Sequence, residues 1–246
     1  MEDIIFGRNP VLEALEAGRD INKLIILEGS RDKTLQKIIN EAKAKRIVIQ
    51  FSERKILDRV VEGETHQGVV AYVAAYQYFE IEEILEEAKA KGEPPFVIIC
   101  DEINDPHNLG SIIRTADAVG AHGVIIPKRR SAALNQTVAK TSCGAIEYVK
   151  VARVTNIAVA IDQLKAMGFW IVGTDMSNQT YYEANLTGSI GVVVGNEGKG
   201  MSRLVKEKCD FVVSIPMRGH VDSLNASVAS GIVMYEVLRQ RTAAKK

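Results

Sequence analysis

Five short runs of apolar residues, rich in Val and Ile and with no polar residue alternating through them, do most to limit how this chain folds. They are 96–100, 123–126, 169–173, 190–194 and 211–215. A strand with one face in water alternates apolar and polar side chains. A run that does not alternate is buried on both faces, which calls for a parallel sheet covered by helices on each side. Helical spacing near 109–119, 155–167 and 224–240 supplies those helices, so residues 96–246 read as one α/β domain.

Residues 1–76 read as a second, smaller α/β unit. Asn9 caps a short helix over 9–18, with Pro10 at its first position and Gly18 as its stop. Strands are expected at 23–28, 47–51 and 68–73, with an amphipathic helix over 32–45. Between the two domains, 77–95 carries a net charge of −4 and Ile81, Ile84, Leu85 and Ala88 at helical spacing, and it ends at Gly92 and Pro94-Pro95. It is expected to be a solvated connecting helix.

Several function classes drop out on composition. No apolar run approaches the roughly 20 residues of a membrane span. The opening M-E-D-I-I-F-G-R lacks the basic start and apolar core of a signal peptide. Cys100, Cys143 and Cys209 are widely spaced and form no C-x-x-C pair, which argues against a disulfide framework and for a reducing cytoplasm. His66, His107, His122 and His220 show no ligand spacing, so no metal site is expected. Formal charge is zero overall, with +4 over 96–246, too weak a bias to settle nucleic-acid binding by itself.

Three loops at strand ends carry the chemistry. The first, 101–116, is D-E-I-N-D-P-H-N-L-G-S-I-I-R-T-A: Asn108 is expected to cap a helix, and Arg114 to lie partly buried on its apolar face, needing an anion. The second, G-N-E-G-K-G at 195–200, has three glycines that let backbone approach a ligand. It is neither the dinucleotide G-x-G-x-x-G nor a phosphate-binding P-loop, so a dehydrogenase is disfavoured. Glu197 within it suits catalysis or ligand orientation better than structure. The third, 216–231, is irregular through Pro216 and Gly219, after which Ser223 and Asn225 open an Ala/Ser-rich helix to about Gln240. Free N–H groups there suit an anionic or carbonyl-bearing ligand.

Taken together, the loops resemble the signature motifs of the SpoU/TrmH branch of the SPOUT methyltransferases. The matching residues are Asn108 to Arg114, Gly195–Gly200 with its acid, and I-P-M-x-G-x-V-x-S-L-N-A-S-V-A from Ile215 to Ala229, where Arg218, His220 and Asp222 take the variable positions. The G-R-N-P-V-L-E-A-L and T-H-Q-G-V-V-A stretches of the first domain are similar to the substrate-binding domain of bacterial 23S rRNA guanosine 2′-O-methyltransferases.

The resemblance implies a SPOUT domain with a deep trefoil knot, S-adenosylmethionine as methyl donor, an RNA substrate, and a homodimer with its site completed at the subunit interface. The donor would be held by backbone at Thr174, Gly195, Ile215 and Leu224. Arg114 would be the general base assisted by an RNA phosphate. Because a guanidinium is effectively always protonated, we expect it instead to bind that phosphate and position the ribose hydroxyl, with Asn108, Glu197, Ser223 and Asn225 orienting it and the ribose. RNA contacts are expected at Arg8, Lys23, Arg31 and His66 and in the basic run Lys128, Arg129, Arg130. A tRNA methyltransferase of the same family and an inactive RNA-binding homologue are the alternatives; retention of both Arg114 and Glu197 argues against the second.

Overall fold

The computed structural model describes residues 3–19, 21–30, 32–73, 76–220 and 223–244, and the chain forms two compact units. Arg31 and Asp222 lie outside the described residues.

The first unit takes the residues up to Gln77 together with Leu134–Tyr148. Its elements run β1 (Asp3–Phe6), α1 (Arg8–Glu16), β2 (Ile21–Leu27), α2 (Lys33–Ala44), β3 (Val48–Ser52), α3 (Arg54–Val60) and β4 (Val69–Val73). The sheet order is β1-β4-β2-β3, with β4 antiparallel to β1 and β2, and β3 parallel to β2. In α2, Leu35, Ile38, Ile39 and Ala42 form the buried stripe, and the Asp32 carboxylate caps the start by accepting from Thr34 N and Leu35 N. On β2, Leu24, Ile25 and Ile26 are all buried, so both faces of this central strand are covered. Strand β1 and helix α3 are too short to register as periodic runs, and neither was expected.

The segment 134–148 was expected in the second domain but packs into the first unit. Gly144 shows why it fits there: at φ 91° it lies so close to Glu13 that an added Cβ would fall 2.3 Å from Glu13 Cγ. The Arg19 guanidinium pairs with Glu147 at 2.9 Å, both side chains nearly buried, and the Tyr148 hydroxyl donates to Glu13 Oε2 at 2.8 Å. Burial pushes the Glu147 carboxyl up, against the opposing pull of Arg19.

The second unit begins with α4 (Ile81–Lys91), β5 (Phe96–Cys100), α5 (Pro106–Ala118) and β6 (Gly123–Pro127). Helix α6 (Gln136–Thr141) belongs to the first unit; β7 (Lys150–Val154), α7 (Ile157–Ala166), β8 (Trp170–Thr174), β9 (Ile190–Val194), α8 (Arg203–Lys208), β10 (Phe211–Val213) and α9 (Ala226–Ala244) complete the second. All six strands are parallel in the order β10-β8-β9-β5-β6-β7. Parallel strands end at one edge of the sheet, so the loops after β5, β9 and β10 emerge on the same side.

Helix α4 corrects the expected solvated linker. Ile81, Ile84 and Ala88 are buried in the core of the second unit, and Ile84 fills the space beside Gly123, where an added Cβ would fall 2.5 Å from Ile84 Cδ1. The acidic bias belongs to the helix start: Glu82 and Glu83 sit in the first turn and Lys89 and Lys91 in the last, each complementing the helix dipole.

Candidate active site

Helix α5 starts where Pro106 demands, one residue after its cap. Asp105 caps it, its carboxylate accepting from His107 N at 2.8 Å, so the expected cap at Asn108 is corrected. Asn108 instead lies buried in the first turn, its Nδ2 donating to Asp105 Oδ2 at 3.4 Å and its Oδ1 facing sideways. Asn225 Nδ2 donates to Asn108 Oδ1 at 3.0 Å. The Asn225 side-chain Oδ1 accepts from Ser227 N at 2.9 Å and Val228 N at 3.3 Å, which makes Asn225, and not Ser223, the cap of α9. One side chain thus starts the third loop's helix and ties it to the first loop.

Arg114 departs from its expected burial. Leu109, Ile112, Ile113 and Ala116 make the buried stripe of α5, and Arg114 falls off it into solvent. Among the described residues it has no hydrogen-bond or ion-pair partner, so its charge is uncommitted.

The glycine loop is a tight two-way bridge: Asn196 N donates to Gly200 O at 3.0 Å and Gly200 N returns to Asn196 O at 2.8 Å. Asn196, which sequence reasoning passed over in favour of Glu197, organises it. Its Oδ1 accepts from Gly198 N and Lys199 N, and its Nδ2 donates to Glu102 O at 3.0 Å, tying the second loop to the first. Asn followed by Gly two residues on is the signal that could have found this Asx turn. Gly195 is required by space: a Cβ there would lie 2.3 Å from Met201 N. Glu197 is exposed, with no hydrogen-bond or ion-pair partner among the described residues.

These loops wall a cleft of about 370 Å³. All four residues expected to hold a cofactor line it, Thr174, Gly195, Ile215 and Leu224, as do Glu197 and Ser223; Asn108, Arg114 and Asn225 do not. Thr174 is fixed by its hydroxyl donating to Val193 O at 2.8 Å. Val194, Met217, Ala226 and Ala229 add apolar wall. Asp175, also in the wall and missed from sequence, pairs with Lys206 at 2.8 Å. Elsewhere, burial pushes the Cys100 and Cys209 thiols up to about 12, so neither is a nucleophile at neutral pH.

The expected RNA contacts divide. Lys128, Arg129 and Arg130 are exposed, with Arg130 paired to Glu102 at 3.2 Å and Lys128 O accepting from Arg153. Lys23 lies over the Tyr72 ring, 5.6 Å from its centre. Arg8 pairs with Asp32 at 2.7 Å. His66 is corrected: its ring is buried and both nitrogens are engaged, Nδ1 accepting from Gly68 N at 2.9 Å and Nε2 facing Asp58 Oδ1 at 3.0 Å, so the ring has no nitrogen left for RNA. No helix among the described residues is long and apolar enough to cross a membrane, and no three His, Cys, Asp or Glu side chains among them are placed to hold a metal ion.

Residues 95–235 match the sequence profile of the SpoU rRNA Methylase family, and residues 4–79 that of the RNA 2′-O ribose methyltransferase substrate-binding domain. The chain is 53% identical over 241 residues, 97% of its own length and 96% of the relative's, to YacO of Bacillus subtilis, assigned to the TrmH family of tRNA/rRNA methyltransferases. Its fold matches that of the SpoU methyltransferase AviRb of Streptomyces viridochromogenes, solved with the cofactor AdoMet, with a TM-score of 0.82 and 26% identity, covering 98% of this chain and 91% of AviRb. The TrmH/SpoU tRNA-modifying enzyme of A. aeolicus is 30% identical, with a TM-score of 0.57 over 66% of this chain and 86% of that one.

Proposed function

The chain belongs to the SpoU/TrmH family of RNA methyltransferases, and from that premise we propose that it methylates the ribose 2′-hydroxyl of a guanosine in 23S rRNA with S-adenosylmethionine as donor, as a cytoplasmic homodimer. The observation that carries the reading is the hydrogen bond from Asn225 to Asn108, which anchors the base of Arg114's helix to the loop walling the cleft.

The cleft's walls suit the donor. Its size is that of a small-molecule site. Gly195, where a Cβ would strike backbone, keeps the wall thin, and apolar Ile215, Leu224 and Ala226 face the same space. Glu197 puts a carboxylate with no partner among the described residues into the wall, beside Lys199, while the Asp175 carboxylate there is paired with Lys206. When bound, the donor supplies a sulfonium methyl that needs no further activation.

The protein's part is to align a weak nucleophile and ease loss of its proton. Alignment is worth roughly 7–11 kcal/mol. Arg114, with no anionic partner among the described residues, is available to a substrate phosphate, and a guanidinium fork holds a phosphate through two parallel donors. Held so, it positions and polarises the 2′-hydroxyl and does not act as a free base. Asn108 and Asn225 fix its helix, while Glu197 and Ser223 face the ribose.

Dimerisation is supported by α9, which leaves Val228 and Tyr235 about half exposed along one side. A knot is supported by the match of residues 95–235 to the SpoU family, whose resemblance implies it. The 23S guanosine is supported by the first-domain resemblance; the A. aeolicus relative favours tRNA as a second reading. Incubation with labelled donor and separate rRNA and tRNA pools, followed by nucleoside mapping, decides. Label as 2′-O-methylguanosine in 23S rRNA alone is expected; label only in tRNA moves the assignment to the second reading.

A further inference from the structure

The first unit holds a pocket of its own, about 300 Å³, formed where the loop after α3 meets the loop after β2. Its shape is set by buried His66. A backbone N–H can only donate, so Nδ1 carries the lone pair that accepts from Gly68 N, and Nε2 carries the proton and donates to Asp58. The ring therefore staples the loop to α3. Gln67 and Gly68 follow at φ 52° and 88°, two left-handed residues in succession, and a Cβ on Gly68 would press on Leu35 Cδ1 at 3.0 Å. A non-glycine residue held left-handed and a buried imidazole spent on loop shape are a costly way to build a plain turn.

What the pocket offers is also uneven. Its carboxylates are committed: Asp58 to His66 and Arg54, Glu64 to Lys140 at 3.0 Å. Its guanidiniums are not fully so. Arg8 is clamped by Asp32 at 2.7 Å and by Nε donating to Gln67 O at 3.1 Å, which leaves its Nη2 edge unspent among the described residues. Arg54 is 78% exposed and, among the described residues, is held only by a 3.8 Å contact with Asp58. Between them partly exposed Leu27 gives an apolar wall, backed by buried Leu35, and Thr65 gives an exposed hydroxyl.

We propose that this pocket takes one unstacked nucleotide of the substrate RNA, its base against Leu27 and a flanking phosphate on Arg54 and the free edge of Arg8. Apolar wall for the base face, polar groups for its edge and a fork for the phosphate together match single-stranded RNA recognition. The inference rests on the RNA-modifying reading above, and assigns the first unit a defined nucleotide site, with His66 as its frame.

The test uses the full chain and 4-thiouridine-substituted rRNA, with filter binding and cross-link mapping alongside methylation kinetics. Arg54→Glu and Thr65→Trp alter exposed side chains and so should leave folding intact. The expected result is cross-linking within 54–68 in the wild type, a KM for RNA raised about tenfold or more in both variants, kcat at saturating RNA within about twofold, and donor affinity unchanged. Both variants keeping wild-type RNA affinity would overturn the site, as would cross-links confined to the second unit. Equal occupancy by free mononucleotides at matched nucleotide concentration would overturn RNA as the occupant. A wild type that binds and cross-links RNA through 54–68 yet transfers no methyl group would support the site and sink the proposed function.

Discussion

Asn225 Nδ2 donates to Asn108 Oδ1 at 3.0 Å, while its own Oδ1 accepts from Ser227 N and Val228 N. The same amide thus caps α9 and bridges to α5, two jobs that substitution can separate. Asn225→Ser keeps a good cap but is too short to bridge, so the melting temperature should stay within a few degrees while methyl transfer falls about tenfold or more. Asn225→Ala loses both and should cost roughly 0.5–2 kcal/mol of stability as well. A serine variant at wild-type rate would remove the bridge from the mechanism.

Arg114→Lys keeps a cation and discards the planar fork. Because Arg114 is exposed and unpartnered among the described residues, thermal stability and donor affinity should not change. Turnover should fall by about 10²-fold, the scale of losing one positioned electrostatic group. Steady-state kinetics with the identified RNA check this, and an unchanged kcat would end any special role for the guanidinium.

The parallel sheet was legible because burial on both faces leaves no alternative to unbroken apolar runs, as in Val192–Val194. Strand β7 was not: Lys150-Val-Ala-Arg-Val lies at the sheet edge, and its charged residues break the run. The loops were legible as strings but not as roles. Asn108 and Asp105 both satisfy a capping preference, and only the Pro106 rule separates them. Asn196 hides its function because its partners are backbone atoms of 102, 198 and 199, whose proximity no spacing announces. The insertion of 134–148 into the first unit was invisible for the same reason: Glu147 and Arg19 meet across 128 residues of chain.

The glycine loop predicts opposite outcomes for two neighbouring glycines. A Cβ at Gly195 would meet Met201 N at 2.3 Å and Gly200 C at 2.4 Å, so the Asn196–Gly200 bridge has to open. At Gly198 the nearest atom is Asn196 Oδ1 at 3.7 Å, ordinary contact. Titration calorimetry with the donor should show affinity lost about tenfold or more in Gly195→Ala and changed less than about twofold in Gly198→Ala. Equal losses would mean that the loop's close backbone approach does not shape the donor cleft.

His122 sets a pH dependence that has nothing to do with catalysis. Its ring is buried, and Nδ1 accepts from Phe96 N at 3.0 Å at the start of β5. Burial holds its pKa below the ordinary value, with Lys91 and Arg241 pushing the same way and Glu93 and Glu87 opposing. The unfolded chain therefore takes up the proton first: between the folded pKa and about 6.5 it binds more protons than the native state, and stability falls as pH drops through that window. Protonating Nδ1 would also break the bond to Phe96. Melting temperature should thus decline from pH 7.5 to pH 5.5, on the order of a few degrees. His122→Asn can still offer an acceptor to Phe96 N, and in that variant the decline should flatten even though its melting temperature at pH 7.5 is lower. An identical slope in wild type and variant would assign the acid sensitivity to other groups.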